Sequence, residues 1–183
     1  MAEQQDILPR EIVAARLSLR PFASTDANDV AAYANDERWS QFLPAPFPYS
    51  LPDAETFIAG TVIRDWNANP VWAMVLDRTV IGGINLRLHA ENHVAEMGWS
   101  IASSHWGKGF ATEAARAVVD AAFTAIPTLA RIAARANVKN RASIRVMEKV
   151  GMTHEATLRC NLFWQGQVVD EVHCGILREE WCD

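Results

Sequence analysis

Two glycines, Gly107 and Gly109, stand in the run Ser104-His-Trp-Gly-Lys-Gly-Phe-Ala-Thr-Glu-Ala114, between a strand-like segment at 94–101 and a helix-like one at 110–126. A glycine turn that opens a helix gathers unpaired backbone N–H groups at the positive end of the helix dipole. That is an anion site, suited to phosphate or pyrophosphate. Glycine also removes the Cβ atoms that would hold a phosphate off the backbone. Two nucleotide motifs are excluded. The string G-x-x-x-x-G-K-[ST] is absent around Gly107-Lys108-Gly109. A G-x-G-x-x-G fingerprint would need glycine where Thr112 stands, and an acidic residue about 20 positions later at a second strand end. For two glycines alone, a plain strand-to-helix turn that uses glycine for its φ angles is the alternative.

Other chemistry-bearing residues give weaker patterns. His89 and His93 have metal-like spacing but fall between strands without a third ligand, so no metal site is expected. Cys160 near His154 lacks a group that would orient a thiol nucleophile, and Cys160 and Cys174 are expected as small buried hydrophobes. Gly98 interrupts a strand pattern. Glycine there marks a bulge or a close backbone approach, or else makes room for a neighbouring tryptophan.

The elements that must position these residues alternate along the chain. Residues 1–14 carry no clear pattern and are expected as a loose arm. Residues 15–22 alternate around Leu17 and Leu19 as a first strand, and Ser24 or Thr25 caps a short helix to about Asn35. Residues 39–50 hold Pro44, Pro46 and Pro48 and read as a loop; Pro52 opens a second helix with Asp53 and Glu55 in its first turn. Strands follow at 71–76 and 80–88 across the turn Asp77-Arg-Thr79, and at 94–101. The helix after the glycines places Ala114, Val118, Ala122 and Phe123 on one face and Glu113, Arg116, Asp120 and Thr124 on another, until Pro127. A strand at 131–138 completes a βαβ unit. A helix at 141–150 is capped by Asn140 and stopped by Gly151, and late strands at 153–163 and 168–177 meet across Gln165-Gly166.

The segments Glu96-Met-Gly-Trp-Ser-Ile101, Trp106-Gly-Lys-Gly-Phe-Ala-Thr-Glu-Ala114 and Asn140-Arg-Ala-Ser-Ile-Arg-Val-Met-Glu-Lys-Val-Gly-Met152 together resemble the GNAT superfamily of acetyl-CoA-dependent N-acetyltransferases. The family's loop is written [QR]-x-x-G-x-[GA]; here Ser104 replaces the first residue, removing one side-chain contact from a site that backbone N–H groups mostly make. The resemblance covers residues 17–181. Arg20-Pro-Phe22, the prolines of 44–52 and the ending Leu177-Arg-Glu-Glu-Trp181 are similar to the RimJ/RimL-type branch of ribosomal-protein N-terminal acetyltransferases. The implied fold is a single α/β (α+β) GNAT domain over 15–183. Its central mixed, mostly antiparallel sheet would hold one splayed parallel strand pair and be flanked by helices.

The resemblance also implies roles. Acetyl-CoA is the co-substrate, with no metal. Cofactor contacts are expected at Met97, Gly98, Trp99, Ser100, Ser104, Trp106, Gly107, Lys108, Gly109, Phe110, Ala111, Thr112, Asn137, Asn140 and Ser143. A bulge at Gly98 would splay the strand to admit the pantetheine arm. Transfer from a thioester to an amine needs the ammonium to lose a proton, donors for the carbonyl oxygen, and an acid near the departing thiolate. Glu96 is the base candidate, directly or through a water, against a plain role in acceptor binding. Ser143 is the acid candidate near the sulfur, with Asn140 on the pantetheine amide; helix capping is the alternative for that pair. Cys174 stands where many relatives carry Tyr. Asp170, Glu171 and the aromatic residues Trp39, Phe42, Phe47, Tyr49, Trp66 and Trp72 are candidates for an acceptor cleft, most of the rings being expected in the core.

Composition fits one enzyme domain. A chain of 183 residues, 50% hydrophobic and 21% charged, can bury roughly 70% of its unfolded surface. The net charge of −5 argues against nucleic acid and mildly favours an amine acceptor: a peptide or protein N-terminus, or a small molecule. The polar first dozen residues lack an apolar signal region, and no apolar stretch is long enough to span a membrane. Three widely spaced cysteines suit a reduced, cytoplasmic setting. A homodimer paired through the late strands is left open, as is an acyl-CoA-binding module without turnover or a transferase of another acyl group.

Overall fold

The computed structural model describes residues 6–181. Eight strands form one sheet in the order β1-β2-β3-β4-β5-β6-β8-β7. They are β1 (Ile12–Val13), β2 (Ser18–Pro21), β3 (Val71–Leu76), β4 (Thr79–His89), β5 (Val94–Ile101), β6 (Arg131–Asn137), β7 (Thr153–Trp164) and β8 (Gln167–Leu177). Every neighbouring pair is antiparallel except β5 and β6. The helices are α1 (Ala27–Ala34), α2 (Glu37–Ser40), α3 (Leu51–Val62), α4 (Phe110–Ala125) and α5 (Arg141–Val150).

The period of two along β3 divides the molecule into two cores. Trp72 and Met74 pack with Phe110, Val118 and Phe123 of α4, whereas Val71 and Ala73 pack with Val30 of α1 and with Ala54 and Ile58 of α3. The β3–β4 turn needs φ > 0 at both central residues, and Asp77 and Arg78 adopt φ 47° and 72°. Helix α4 buries the face that carries Ala114, Val118, Ala122 and Phe123, as its periodicity requires. Its C-terminal carbonyls are closed from outside. The Arg178 guanidinium donates to Phe123 O at 2.9 Å and Leu129 O at 2.8 Å, and the Trp181 indole N–H donates to Asp120 at 2.8 Å. That accounts physically for the ending Leu177-Arg-Glu-Glu-Trp181.

Several sequence expectations are corrected. Over its described part, 6–14, the arm is docked. Leu8 is buried, Ile12–Val13 adds a strand beside β2, and the indole N–H groups of Trp66 and Trp72 donate to Leu8 O and Pro9 O at 3.0 and 3.1 Å. Buried indoles need acceptors, and the arm supplies them; residues 1–5 lie outside the described residues. Neither Ser24 nor Thr25 caps the first helix. Asp26 stands at the N-cap of α1 without a side-chain cap bond; its carboxylate closes the preceding 3-10 turn, accepting from Ala23 N at 2.8 Å while Arg20 holds it at 2.7 and 2.9 Å. Cys160 is exposed on the edge strand β7, with φ 51°, whereas Cys174 is buried; burial pushes the Cys174 thiol up. Its apolar surroundings keep Cys174 inside the sheet–helix core. Cys182 lies outside the described residues.

Candidate active site

The site begins where the parallel pair stops. Strand β4 follows β5 in unbroken register from Gly82↔Ile101 to His89↔Val94. Between β5 and β6 the ladder holds only Val94↔Arg131, Ala95↔Ile132 and Glu96↔Ala133. Beyond that rung β5 stays with β4 and β6 stays with β8, out to Asn137↔Glu171, so the sheet opens into a V. The β5 edge from Met97 onward has no β6 partner, which leaves backbone donors and acceptors for an extended ligand. The expected bulge at Gly98 is corrected: the β4–β5 register runs through it unshifted. A Cβ at Gly98 would meet Asn85 Oδ1 at 3.0 Å, so the glycine makes room for the amide opposite it and not for a tryptophan.

The mouth of the V leads to the glycine loop. Gly107 and Gly109 adopt φ 74° and 84°, and Gly109 is the N-cap of α4 without a side-chain cap. The first N–H groups of α4 therefore lack a side-chain acceptor. Nothing lies within 4 Å of a Cβ position on Gly107. Arg16 braces the loop from behind: its Nη1 donates to Lys108 O at 3.1 Å and its guanidinium lies 4.4 Å from the centroid of the Phe110 ring. On the other flank, the Asp36 carboxylate accepts from Ser103 Oγ and from Arg38 Nη2, the latter at 2.8 Å. Arg38 first and Ser103 second hold the Asp36 carboxyl well below the usual carboxylate range.

A cleft of about 440 Å³ joins these parts. Of the sequence-chosen residues, Trp99, Ser100, Trp106, Gly107, Gly109, Phe110, Ala111, Thr112, Asn140 and Ser143 line it. Asn140 Oδ1 caps α5 by accepting from Ser143 N at 3.1 Å. The remainder sit elsewhere. Met97 is in the core, and Asn137 is buried with Oδ1 accepting from Lys139 N. Ser104 Oγ lies 3.0 Å from His105 Nδ1, and the carbonyl of Lys108 faces Arg16. Glu96 stands at the apex of the V, on its last rung, and accepts from Arg135 Nε at 3.0 Å through Oε1. Asp170 accepts from Cys160 N at 2.9 Å, and Glu171 is buried beside Arg135 and His173.

The aromatic candidates divide. Trp39 and Phe42 wall the cleft, Trp39 stacks edge-on with Tyr33 and Tyr49, Trp66 packs on Trp72 in the other core, and Phe47 is exposed. Beside Arg38, which pairs with Asp36, sequence reading missed four further cations that line the cleft: Lys139, Arg141, Arg145 and Lys149. Three of them recur every four residues from Arg141, a stripe on one face of α5 that the sequence displays plainly. Among the described residues none of the four pairs with a carboxylate. His105, also on the wall, has its pKa lowered by burial first and by Lys108 second. Free helix N–H groups, a glycine with open space and four cations fit a polyanionic ligand with an extended amide-bearing arm. Among the described residues no three His, Cys, Asp or Glu side chains converge as a metal site, and no helix is long and apolar enough to cross a membrane.

A sheet that splays at its one parallel pair, with a glycine turn opening a helix beside the gap, defines the acyl-CoA N-acyltransferase architecture. The chain belongs to the GNAT acetyltransferase family, whose domain model matches residues 16–153. It is 30% identical over 171 residues to the uncharacterised N-acetyltransferase YnaD of Bacillus subtilis, covering 93% of this chain and 98% of that one. The crystal structure of a GNAT-family acetyltransferase from Bacillus anthracis superposes with a TM-score of 0.81 at 28% identity, over 92% of this chain and 99% of the other. Mycobacterium smegmatis RimJ, solved in complex with CoA-disulfide, shares the fold with a TM-score of 0.81 at 23% identity, over 94% and 88% of the two chains.

Proposed function

We propose that the chain transfers acetyl from acetyl-CoA to a primary amine by direct attack within a ternary complex. The observation that carries this reading is the V between β5 and β6, opening beside an uncapped helix N-terminus. In this reading the pantetheine arm lies along the free β5 edge from Met97, the pyrophosphate sits on the Gly107–Gly109 loop, and the Arg141, Arg145 and Lys149 stripe faces the remaining phosphate. The first turn of α5, with Asn140 and Ser143, stands by the arm, and the Ser143 hydroxyl serves as acid toward the thiolate. Glu96 receives the acceptor ammonium through Oε2, the oxygen that Arg135 leaves open. Holding both substrates in one cleft supplies much of the rate, since no covalent step on the enzyme is required.

A peptide or protein N-terminus and a small amine both meet these requirements. Trp39 and Phe42 give the cleft an apolar wall on the acceptor side. The free thiols of Cys160 and Cys174 support a reducing, cytoplasmic setting, and the exposed β7 edge is the surface through which a homodimer would pair.

The test is thiol release from acetyl-CoA with a panel of N-terminal peptides of ribosomal proteins, polyamines, amino acids and aminoglycosides. Turnover of one class, with Glu96→Gln raising that acceptor's KM about tenfold (~1.4 kcal/mol), supports the reading. Tight acetyl-CoA binding without turnover on any amine would leave a binding module, and absence of binding would remove the co-substrate assignment.

A further inference from the structure

The proton that leaves the acceptor ammonium needs a destination, and the open half of the sheet face contains one that the sequence reading did not consider. Arg135 and His173 are cross-strand partners on β6 and β8, as are Asn137 and Glu171. Glu171 and His173 are two residues apart, so they share a face, and Glu96 joins it through its bond to Arg135. The core formed with α1 and α3 draws its sheet residues from β3 and β4, while α4 and α5 pack behind the sheet. The α1–α3 core takes no residue from β6 or β8.

Within this group the burial is graded. The Glu171 side chain is 4% exposed, whereas those of His173, Glu96 and Arg135 are 31%, 35% and 49% exposed. Glu171 Oε2 lies 3.0 Å from His173 Nε2 and also accepts from Asn161 Nδ2 at 2.7 Å. A carboxylate oxygen only accepts, so the facing ring nitrogen carries the hydrogen. The neutral ring is therefore the Nε2–H tautomer, and its lone pair is on Nδ1. Among the described residues Nδ1 has no hydrogen-bond partner.

We propose that His173 is the general base of the transfer, with Glu171 as its positioning residue and Glu96 as the counter-charge that holds the ammonium. The inference rests on the transferase reading above. The carboxylate fixes ring orientation and tautomer and stabilises the imidazolium that forms, which is the logic of a carboxylate–histidine pair. In the step, His173 Nδ1 takes a proton from the R–NH3+ group and becomes imidazolium. The freed amine forms a C–N bond to the acetyl carbon as the C–S bond breaks, and the CoA thiolate leaves with the electron pair. The thiolate takes the Ser143 hydroxyl proton and the second amine proton restores that hydroxyl, giving amide and CoA thiol, and His173 returns its proton to solvent. The charged groups around the ring are Glu171 on its own strand, Arg135 and Arg131 on β6, Glu96 on β5 and Glu155 on β7. Glu155 is held low chiefly by Arg131, with His173 a smaller contributor.

The experiment compares wild type, His173→Ala, Glu171→Gln and Glu96→Gln on the best acceptor of the panel. His173→Ala is expected to lose about 10²-fold in kcat with the acetyl-CoA KM within about twofold. Added imidazole restores part of that loss, which a merely structural role would not permit, and the acid limb of the pH–rate profile moves to that of the amine. Glu171→Gln lowers kcat less and shifts the same limb. His173→Ala with wild-type kcat and acid limb, beside a Glu96→Gln that loses both, would overturn the assignment in favour of Glu96. A wild type that binds acetyl-CoA and turns over no amine strikes the transferase reading instead. Long-range 1H–15N NMR of the His173 ring separates the two cases: a proton on Nδ1 in the neutral ring overturns the proposed geometry whatever the turnover.

Discussion

The Glu113 carboxylate grips the backbone of the segment that enters the sheet at Arg16. Its Oε1 accepts from Arg16 N at 2.6 Å and Leu17 N at 3.2 Å, and its Oε2 accepts from the Arg16 guanidinium at 2.7 Å. Because Glu113 is in the first turn of α4 and Arg16 also holds Lys108 O, one carboxylate ties the first strands to the glycine loop.

Replacing Glu113 with Ala should therefore cost about 1–3 kcal/mol, since two backbone donors lose their acceptor. A melting temperature lower by several degrees checks it. Burial opposes the Glu113 charge, but the Arg16 and Leu17 donors outweigh it and lower its pKa below the ordinary 4.5. A carboxyl with a lowered folded pKa adds stability that is fully present above the unfolded value and is lost as pH falls through the folded one. The stability gap between wild type and Glu113→Ala should accordingly be constant above about pH 5 and close at lower pH.

Gly107→Ala and Gly109→Ala should affect binding more than folding. Both positions hold positive φ, which costs an alanine about 1–2 kcal/mol. At Gly107 the new methyl meets no protein atom within 4 Å and projects into open space. The expected result for Gly107→Ala is an acetyl-CoA KM raised tenfold or more beside a melting temperature lowered by only a few degrees, read by steady-state kinetics and calorimetry.

The α5 stripe predicts a salt signature. Arg145→Glu should raise the acetyl-CoA KM several-fold at low ionic strength, and the deficit should shrink as salt screens the charges. A KM insensitive to both mutation and salt would show that the stripe does not face the ligand.

Asn140 and Ser143 can be separated because the cap uses the backbone N–H of Ser143 and not its hydroxyl. Asn140→Ala should cost about 1 kcal/mol of stability as a lost N-cap. Ser143→Ala should leave the melting temperature within about a degree while lowering kcat about tenfold, as expected for a weak acid assisting a good leaving group. An unchanged kcat would free Ser143 from that role.

What could be read before folding was local. The loop Ser104–Ala114, the buried stripe of α4, the Asn140 and Gly151 ends of α5 and the Asp77-Arg78 turn all depend on residues within a few positions of one another. The misreadings involve partners far along the chain. Residues 8–13 looked patternless because their partners are Trp66, Trp72 and β2. Gly98 looked like a bulge because its reason, Asn85, is a cross-strand neighbour. Cys160 looked buried because exposure on an edge strand is decided by which strand ends the sheet.

By itself the sequence determined most of the element order, the glycine turn that opens α4 and the family, because glycine positions, caps and hydrophobic periods are written in the local backbone preferences of single residues. Only the tertiary structure decided where β5 leaves β6, that Arg135 occupies one oxygen of Glu96, and that Glu171 lies 3.0 Å from His173. Those relationships depend on strand order and register, which bring side chains 39 positions apart within a hydrogen bond. They arise from the packing of the whole sheet against two cores, and no window along the chain contains them.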